Sequence, residues 1–312
     1  MELGAERGAR MSGLPAFAVG LCDDAAVFPP GLAPLPEAVP AHLRHRACAY
    51  GELVGPFVLA APALGELGPL LGELGPLLGP GGGLDLVVTV PGGPEQIAEV
   101  ARAVEALPVS LRGLEVVVPA GAAPAEFFAA LDHACADAPR LSGVPVFVEV
   151  PRDERRAEIV SRLAESGRRA KFRTGGVKAE LYPDETELAA AIKAVVDAGV
   201  PFKATAGLHH AIRNTDPETG FEQHGFLNLL LAADAALGGG AESELAAILA
   251  ERDGAAVAAR VAALGEERAA AARSRFLSFG TCSITDPLTD LLNLGLIPDD
   301  IAGAVPGRRE GN

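Results

Sequence analysis

Three observations predict an α/β protein built as a closed eight-strand barrel. Short β-branched runs ending in Pro or Gly alternate with longer Ala/Leu/Glu stretches of helical period, which is the pattern of a parallel sheet crossed by helices. Eight such units can be counted in the 312 residues, the number and size of a (β/α)8 barrel, also called a TIM barrel. Polar and charged residues gather where the strand candidates end, which is where such a barrel carries its reactive groups.

The strand candidates, in order, are PAFAVGL (15–21), FVLAAP (57–62), LDLVVTV (84–90), LEVVVP (114–119), VPVFVEV (144–150), AKFRT (170–174), PFKATA (201–206) and RFLSFGT (275–281). Each precedes a segment able to form a helix, such as PEQIAEVARAVEAL or TELAAAIKAVVDA. GELGPLL occurs twice in tandem between Gly65 and Leu78 and sets Leu67, Leu70, Leu71, Leu74, Leu77 and Leu78 on one stripe. It reads as an outer helix loosened by its own Gly and Pro. Glu242 to Leu264 forms an extra helical segment between strands seven and eight, placed to serve as a lid or an oligomer contact. The whole chain, 1–312, reads as one barrel domain with about 1–13 and 305–312 as flexible ends.

Composition narrows the function. Apolar residues make up 49% of the chain, so it can bury a large core. A net charge of −15 with no basic stretch argues against a nucleic-acid partner. No apolar run reaches membrane-spanning length, and the charged start lacks the apolar centre of a signal peptide, so no membrane partner is expected. Cys22, Cys48, Cys135 and Cys282 are far apart with no CxxC pair, which fits a reducing cytoplasm and no cysteine metal site. No cofactor is expected, the partner is a small anionic metabolite, and a homo-oligomer is compatible with the sequence.

Only four lysines accompany 22 arginines, and two sit in similar segments, Lys171 in AKFRTGG and Lys203 in FKATAGLHH. Alternation along a strand points Lys171 and Arg173 into the barrel and Phe172 outward; likewise Lys203 and Thr205 point in and Phe202 out. Two ammonium groups in one cavity lower each other's pKa, and a partly neutral lysine is a nucleophile toward carbonyl carbon. The plainer reading is that each lysine pairs with a buried carboxylate such as Glu149.

These residues resemble the deoxyribose-phosphate aldolases, class I enzymes that form a lysine Schiff base on this barrel. In that family strand five closes with Glu-Thr, strand six carries KTSTG and strand seven KPAGG. Here VFVEV holds Glu149, KFRTG holds Lys171, Thr174 and Gly175, and KATAG holds Lys203 and Gly207, in the same order from Val144 to His209. The resemblance implies Lys171 as the Schiff-base lysine and Lys203 as the neighbour that lowers its pKa. The sequence departs from the family in two places. Arg173 replaces a small serine, and the family's strand-four aspartate has no clear counterpart in LEVVVPAG.

Further candidates follow the strands. His209 and His210 are successive, so one of them is expected to face the pocket, as an acid-base group, a metal ligand or a loop residue. His224 lies four residues before Asn228, so the two are expected at the pocket mouth together. Gly176, Gly207 and Gly280, with Thr281 and Ser283 before a helix start at Thr285 to Pro287, offer backbone N–H groups to an anion; an ordinary βα turn is the alternative. Cys282 is expected to pack. Asp23 and Asp24 at the end of strand one offer counter-charge, a general base or a cap. His42, His45 and His133 are expected at the surface of helices.

The expected activity is a class I aldolase-like carbon-carbon lyase, or a related carbonyl-activating enzyme, acting through a Lys171 imine on a small phosphorylated or carboxylated carbonyl compound. A metal-dependent lyase or isomerase using the His/Asp/Glu residues, and a barrel that binds an anionic metabolite without turnover, are the alternatives.

Overall fold

Eight parallel strands close on themselves in the computed structural model, which describes residues 13–78 and 83–304. They are β1 (Cys22–Asp24), β2 (Val54–Ala60), β3 (Leu84–Val90), β4 (Val109–Val117), β5 (Val146–Glu149), β6 (Arg169–Arg173), β7 (Phe202–Thr205) and β8 (Phe276–Thr281). Each pairs with its sequence neighbours, and β1 closes the ring by pairing with β8 through Asp23 and Gly280. The (β/α)8 expectation therefore holds. The frayed ends expected at 1–13 and 305–312 lie, Gly13 apart, outside the described residues.

Alternation decides what each strand sends to the helices and what it sends inward. Phe172, Phe202 and Phe276 point outward from three adjacent strands and form a row with ring centroids 5.5 and 5.4 Å apart, buried under the helices. Truncating a ring so placed costs about 3–5 kcal/mol. Their strand neighbours Lys171 and Lys203 therefore enter the bore, as alternation requires. Leu114 and Val116 on β4 are likewise buried on the helix side, which turns Glu115 and Val117 inward.

Strand one differs from its expected position. Residues 15–21 form a turn, in which Ala18 N donates to Pro15 O and Gly20 takes a left-handed φ of 59°, and pairing begins only at Cys22. Asp23 and Asp24 are thus within the strand and not beyond it, so they point to opposite faces.

The leucine repeat forms the helix Leu64–Glu73, with Leu64, Leu67 and Leu71 buried, and a short continuation Gly75–Leu78. Leu70, Leu74 and Leu78 pack against the same core. The β7–β8 connection is longer than expected: an antiparallel ribbon of Asn214–Thr215 with Glu222–Gln223 precedes helices Phe226–Leu237, Glu242–Ala250, Gly254–Ala262 and Gly265–Arg275. None of the described helices is long and apolar enough to cross a membrane.

Candidate active site

The two lysines meet across β6 and β7, where Lys171 and Lys203 are register partners, and both line a cavity of about 370 Å³ at the C-terminal mouth of the barrel. Three carboxylates stand among them. Glu115 Oε1 accepts from Lys203 Nζ at 2.5 Å, and its Oε2 lies 2.8 Å from Lys171 Nζ. Asp23 takes a further short hydrogen bond from Lys203 and one of 2.8 Å from the Ser278 hydroxyl. Glu149 Oε2 lies 3.0 Å from Lys171 Nζ, and its Oε1 accepts from Arg173 Nε at 3.0 Å.

The lysines are not held alike. Lys203 makes two well-aligned hydrogen bonds to carboxylates, whereas Lys171 lies 2.8 Å from Glu115 Oε2 and 3.0 Å from Glu149 Oε2 in ion pairs of poorer alignment. Glu149 Oε2 is buried and has no hydrogen-bond partner, although the Lys171 amine is beside it. An oxygen in that state has a lone pair available for a proton.

Burial and neighbouring charges act on the floor in opposite directions, and for Asp23 burial prevails and raises its pKa. Burial alone would lower the Lys203 pKa, but Asp23 and Glu115 reverse this and raise it above the ordinary lysine value. Burial would raise Glu115, yet the charges of Lys171 and Lys203 push it from 4.5 down to about 2. Glu149 is also lowered, with burial opposed by Lys171 and then Arg173. The expectation of two ammonium groups repelling each other thus needs correction. They share a cavity, but Glu115 lies between them and neutralises that repulsion. Lys203 is held charged and anchored, and Glu115 links it to Lys171.

Glu115, an inward carboxylate on β4, is not among the candidates named from the sequence. A single acid in the β-branched run LEVVV is a usable signal, because alternation alone puts it on the inner face. Ser278, inward on β8 beside Asp23, was overlooked as well.

Of the remaining candidates, Arg173, Gly176, Thr205, His209 and Gly280 line the cavity with Glu149 and the lysines. His209 Nδ1 lies 3.5 Å from Cys282 Sγ, and burial pushes the imidazole pKa down and the thiol pKa up, so both are neutral near pH 7. His210 turns away, half-exposed, to Asp290 at 3.1 Å, and that hydrogen bond raises its pKa.

Other expected site residues do structural work. Asp24 points from the outer face of β1 to His42, which is buried and not at the surface, with Nδ1 to Oδ2 at 3.0 Å. His224 is also enclosed: its Nε2–H donates to Pro183 O at 2.8 Å, which leaves Nδ1 to accept from Arg213 at 3.4 Å. Asn228 donates to Ile248 O and Glu251 O and accepts from Arg213 N, so it ties the ribbon to the following helices away from the cavity. Thr174 Oγ1 donates to Ala206 O at 2.7 Å and joins the ends of β6 and β7.

Part of the expected anion cradle is filled by the protein itself, while Gly176 and Gly280 line the cavity. Gly207 has φ 70°, and a Cβ on Gly175 would lie 2.8 Å from Gly207 Cα, so these glycines exist to let two loops touch. The Tyr182 ring covers both, and its hydroxyl donates to Gly176 O at 3.0 Å. Thr281 Oγ1 donates to Ser283 O, and the Ser283 hydroxyl accepts from Asp286 N at the start of the helix Thr285–Asn293. The Asp286 carboxylate already occupies that first turn.

No family model matches the chain, and no curated protein matches it. Solved structures do match it, among them two aldolases. One is an archaeal fructose-1,6-bisphosphate aldolase whose catalytic Lys is covalently bound to the carbinolamine intermediate of its substrate, at 14% identity and a TM-score of 0.37 over 76% of this chain and 86% of that one. The other is a putative deoxyribose-phosphate aldolase from Toxoplasma gondii ME49, at 12% identity and a TM-score of 0.42 over 93% of this chain and 94% of that one. The chain resembles these aldolases remotely. Its barrel is fixed by its own strand pairing.

Proposed function

We propose that the protein is a class I aldolase-like lyase in which Lys171 forms an imine with a small carbonyl compound carrying one anionic group. The observation that carries this reading is the contrast between the two lysines: Lys203 is locked between Asp23 and Glu115, while Lys171 lies side-on to Glu149 Oε2, a buried carboxylate oxygen with no hydrogen-bond partner. Lys171 and Arg173 favour the Glu149 carboxylate, so the proton passes from the Lys171 ammonium to Glu149 only transiently, and the amine freed in that moment adds to the carbonyl carbon. Water then leaves with the carbonyl oxygen, taking the proton back from Glu149 and one from nitrogen, to give a protonated imine. That cation draws electrons from the neighbouring carbon-carbon bond, which is how such enzymes break or make it. Glu115 and Lys203 position the amine, and Asp23 and Ser278 hold Lys203. Arg173 takes the anionic end of the substrate, and neutral His209 at the wall exchanges protons with it.

Among the described residues no three His, Cys, Asp or Glu side chains converge as a metal set would. The two glutamates beside the lysines are engaged by cations. The imine route is therefore favoured over the metal-dependent one. Borohydride reduction in the presence of aldehydes and ketones, with peptide mapping by mass spectrometry, tests it. A reduced adduct is expected at Lys171 and not at Lys203; carbonyl compounds that bind but leave no adduct at Lys171 overturn the mechanism.

A further inference from the structure

Above its charged floor the cavity is walled by Phe28, Val58, Ala60, Val117, Val177 and Leu181. The polar side chains there are few, chiefly Thr89, Thr205 and the His209–Cys282 pair. A sugar chain entering this space would bring a hydroxyl on nearly every carbon. Each one buried without a partner costs about 1–3 kcal/mol. An alkyl or aryl tail would lose nothing and would gain about 0.8 kcal/mol per buried methylene. Val177, 69% exposed at the rim, extends the apolar wall outward.

Charge points the same way. Asp23, Glu115 and Glu149 balance Lys171, Lys203 and Arg173, so the floor carries no net charge to meet a phosphate dianion. The loop backbones that would otherwise cradle phosphate are closed by Tyr182 and by the Thr281–Ser283–Asp286 contacts. What is left is Arg173, with Nε tied to Glu149 and both terminal NH2 groups without a hydrogen bond among the described residues. That edge presents two parallel donors, which fit a carboxylate or a phosphate alike, and its single charge matches a monoanionic carboxylate better than a phosphate dianion.

Building on the proposed function, we infer that this cavity takes an apolar carbonyl acid, with a carboxylate on Arg173 and an aliphatic or aromatic tail against Val58, Val117 and Leu181, and not a sugar phosphate. NMR titration of the full chain with propanoate, butanoate, pentanoate and hexanoate reads this directly, because none of these probes can form an imine. The dissociation constant is expected to fall about fourfold per added methylene, from 0.8 kcal/mol each. Ribitol 5-phosphate is expected to bind no more tightly than inorganic phosphate. In Val117→Thr, a near-isosteric change, and in Val177→Asp, at an exposed position, the chain-length gain should shrink at least twofold per step while folding is kept.

A flat series, a ribitol phosphate that binds more tightly than hexanoate, or a series untouched by both variants overturns the inference. Its failure is separable from that of the imine reading. A flat series with trapping at Lys171 intact removes the substrate class alone, and a steep series without trapping removes the imine alone.

Discussion

Lys171 and Lys203 stand opposite each other in the register of two adjacent strands, yet Glu115, reaching across from β4, offers one oxygen to each amine. One carboxylate therefore organises both cations. The arrangement asks the two lysines to do different things: one is fixed by directional hydrogen bonds, and the other is left beside a proton acceptor with a vacant lone pair.

Removing Glu115 should be expensive. Glu115→Gln keeps the shape but leaves two buried ammonium groups short of a counter-charge, and breaking such pairs costs about 3–5 kcal/mol. Urea denaturation at pH 7 is expected to show that loss. A pH dependence goes with it, because the Glu115 pKa is 4.5 in the ordinary state and about 2 in the fold. As pH falls from 4.5 towards 2 the unfolded chain takes the proton first, so stability on the order of 3 kcal/mol is present above that window and lost within it. Glu115→Gln should lack that acid limb.

The two lysines should separate in a paired experiment. Lys203→Met leaves Asp23 buried with only the Ser278 hydroxyl and takes one of its two cations from Glu115, and is expected to destabilise the fold by about 3–5 kcal/mol. Lys171→Met removes a side-on contact and is expected to destabilise less, while abolishing borohydride trapping. Equal stability losses in urea melts, or trapping that survives in Lys171→Met, would contradict the division of labour between them.

Much of this was readable in the sequence, and the failures have physical causes. Alternation in AKFRT and PFKATA placed Lys171, Arg173, Lys203 and Thr205 inward and the phenylalanines outward, because the side-chain period of a strand is fixed. The same rule places Glu115 inward in LEVVV, once Leu114 and Val116 are known to face the helices. Strand one was set too early because apolar content cannot reveal the left-handed turn at Gly20. His224, Asn228 and the glycines at 175 and 207 looked like site residues because polar side chains and glycines also serve to join loops. Only the approach of Tyr182 and of the helices after β7 reveals which use applies.

Gly55 has no chemistry of its own, yet it lies beneath the site. A Cβ there would be 2.3 Å from Asp23 Oδ1, and no rotamer of the added methyl can relieve that. Gly55→Ala is expected to displace Asp23 from Lys203, to lower the melting temperature, and to slow imine trapping without moving residue 171. An unchanged trapping rate would show that Asp23 does not support the lysine pair.

His224 supplies a second pH dependence, at a different place from Glu115. Burial is the main cause that brings its pKa from 6.5 to about 4, and Arg213, donating to Nδ1, opposes a proton on that nitrogen. The folded ring is therefore neutral where the unfolded one is charged. Between pH 6.5 and 4 the unfolded state binds more protons, so stability rises with pH across that window and is lost as pH falls through it, on the order of 3 kcal/mol in all. His224→Gln keeps a donor for Pro183 O and removes the titration. Urea melts from pH 7 to pH 4 should slope less in this variant than in the wild type, the remainder coming from His209 and His45, whose pKa values burial also lowers, although the variant is less stable at pH 7. Because His224 lies outside the cavity, trapping at Lys171 should proceed normally in it. A melt series that keeps its slope in His224→Gln would place the acid-sensitive group elsewhere.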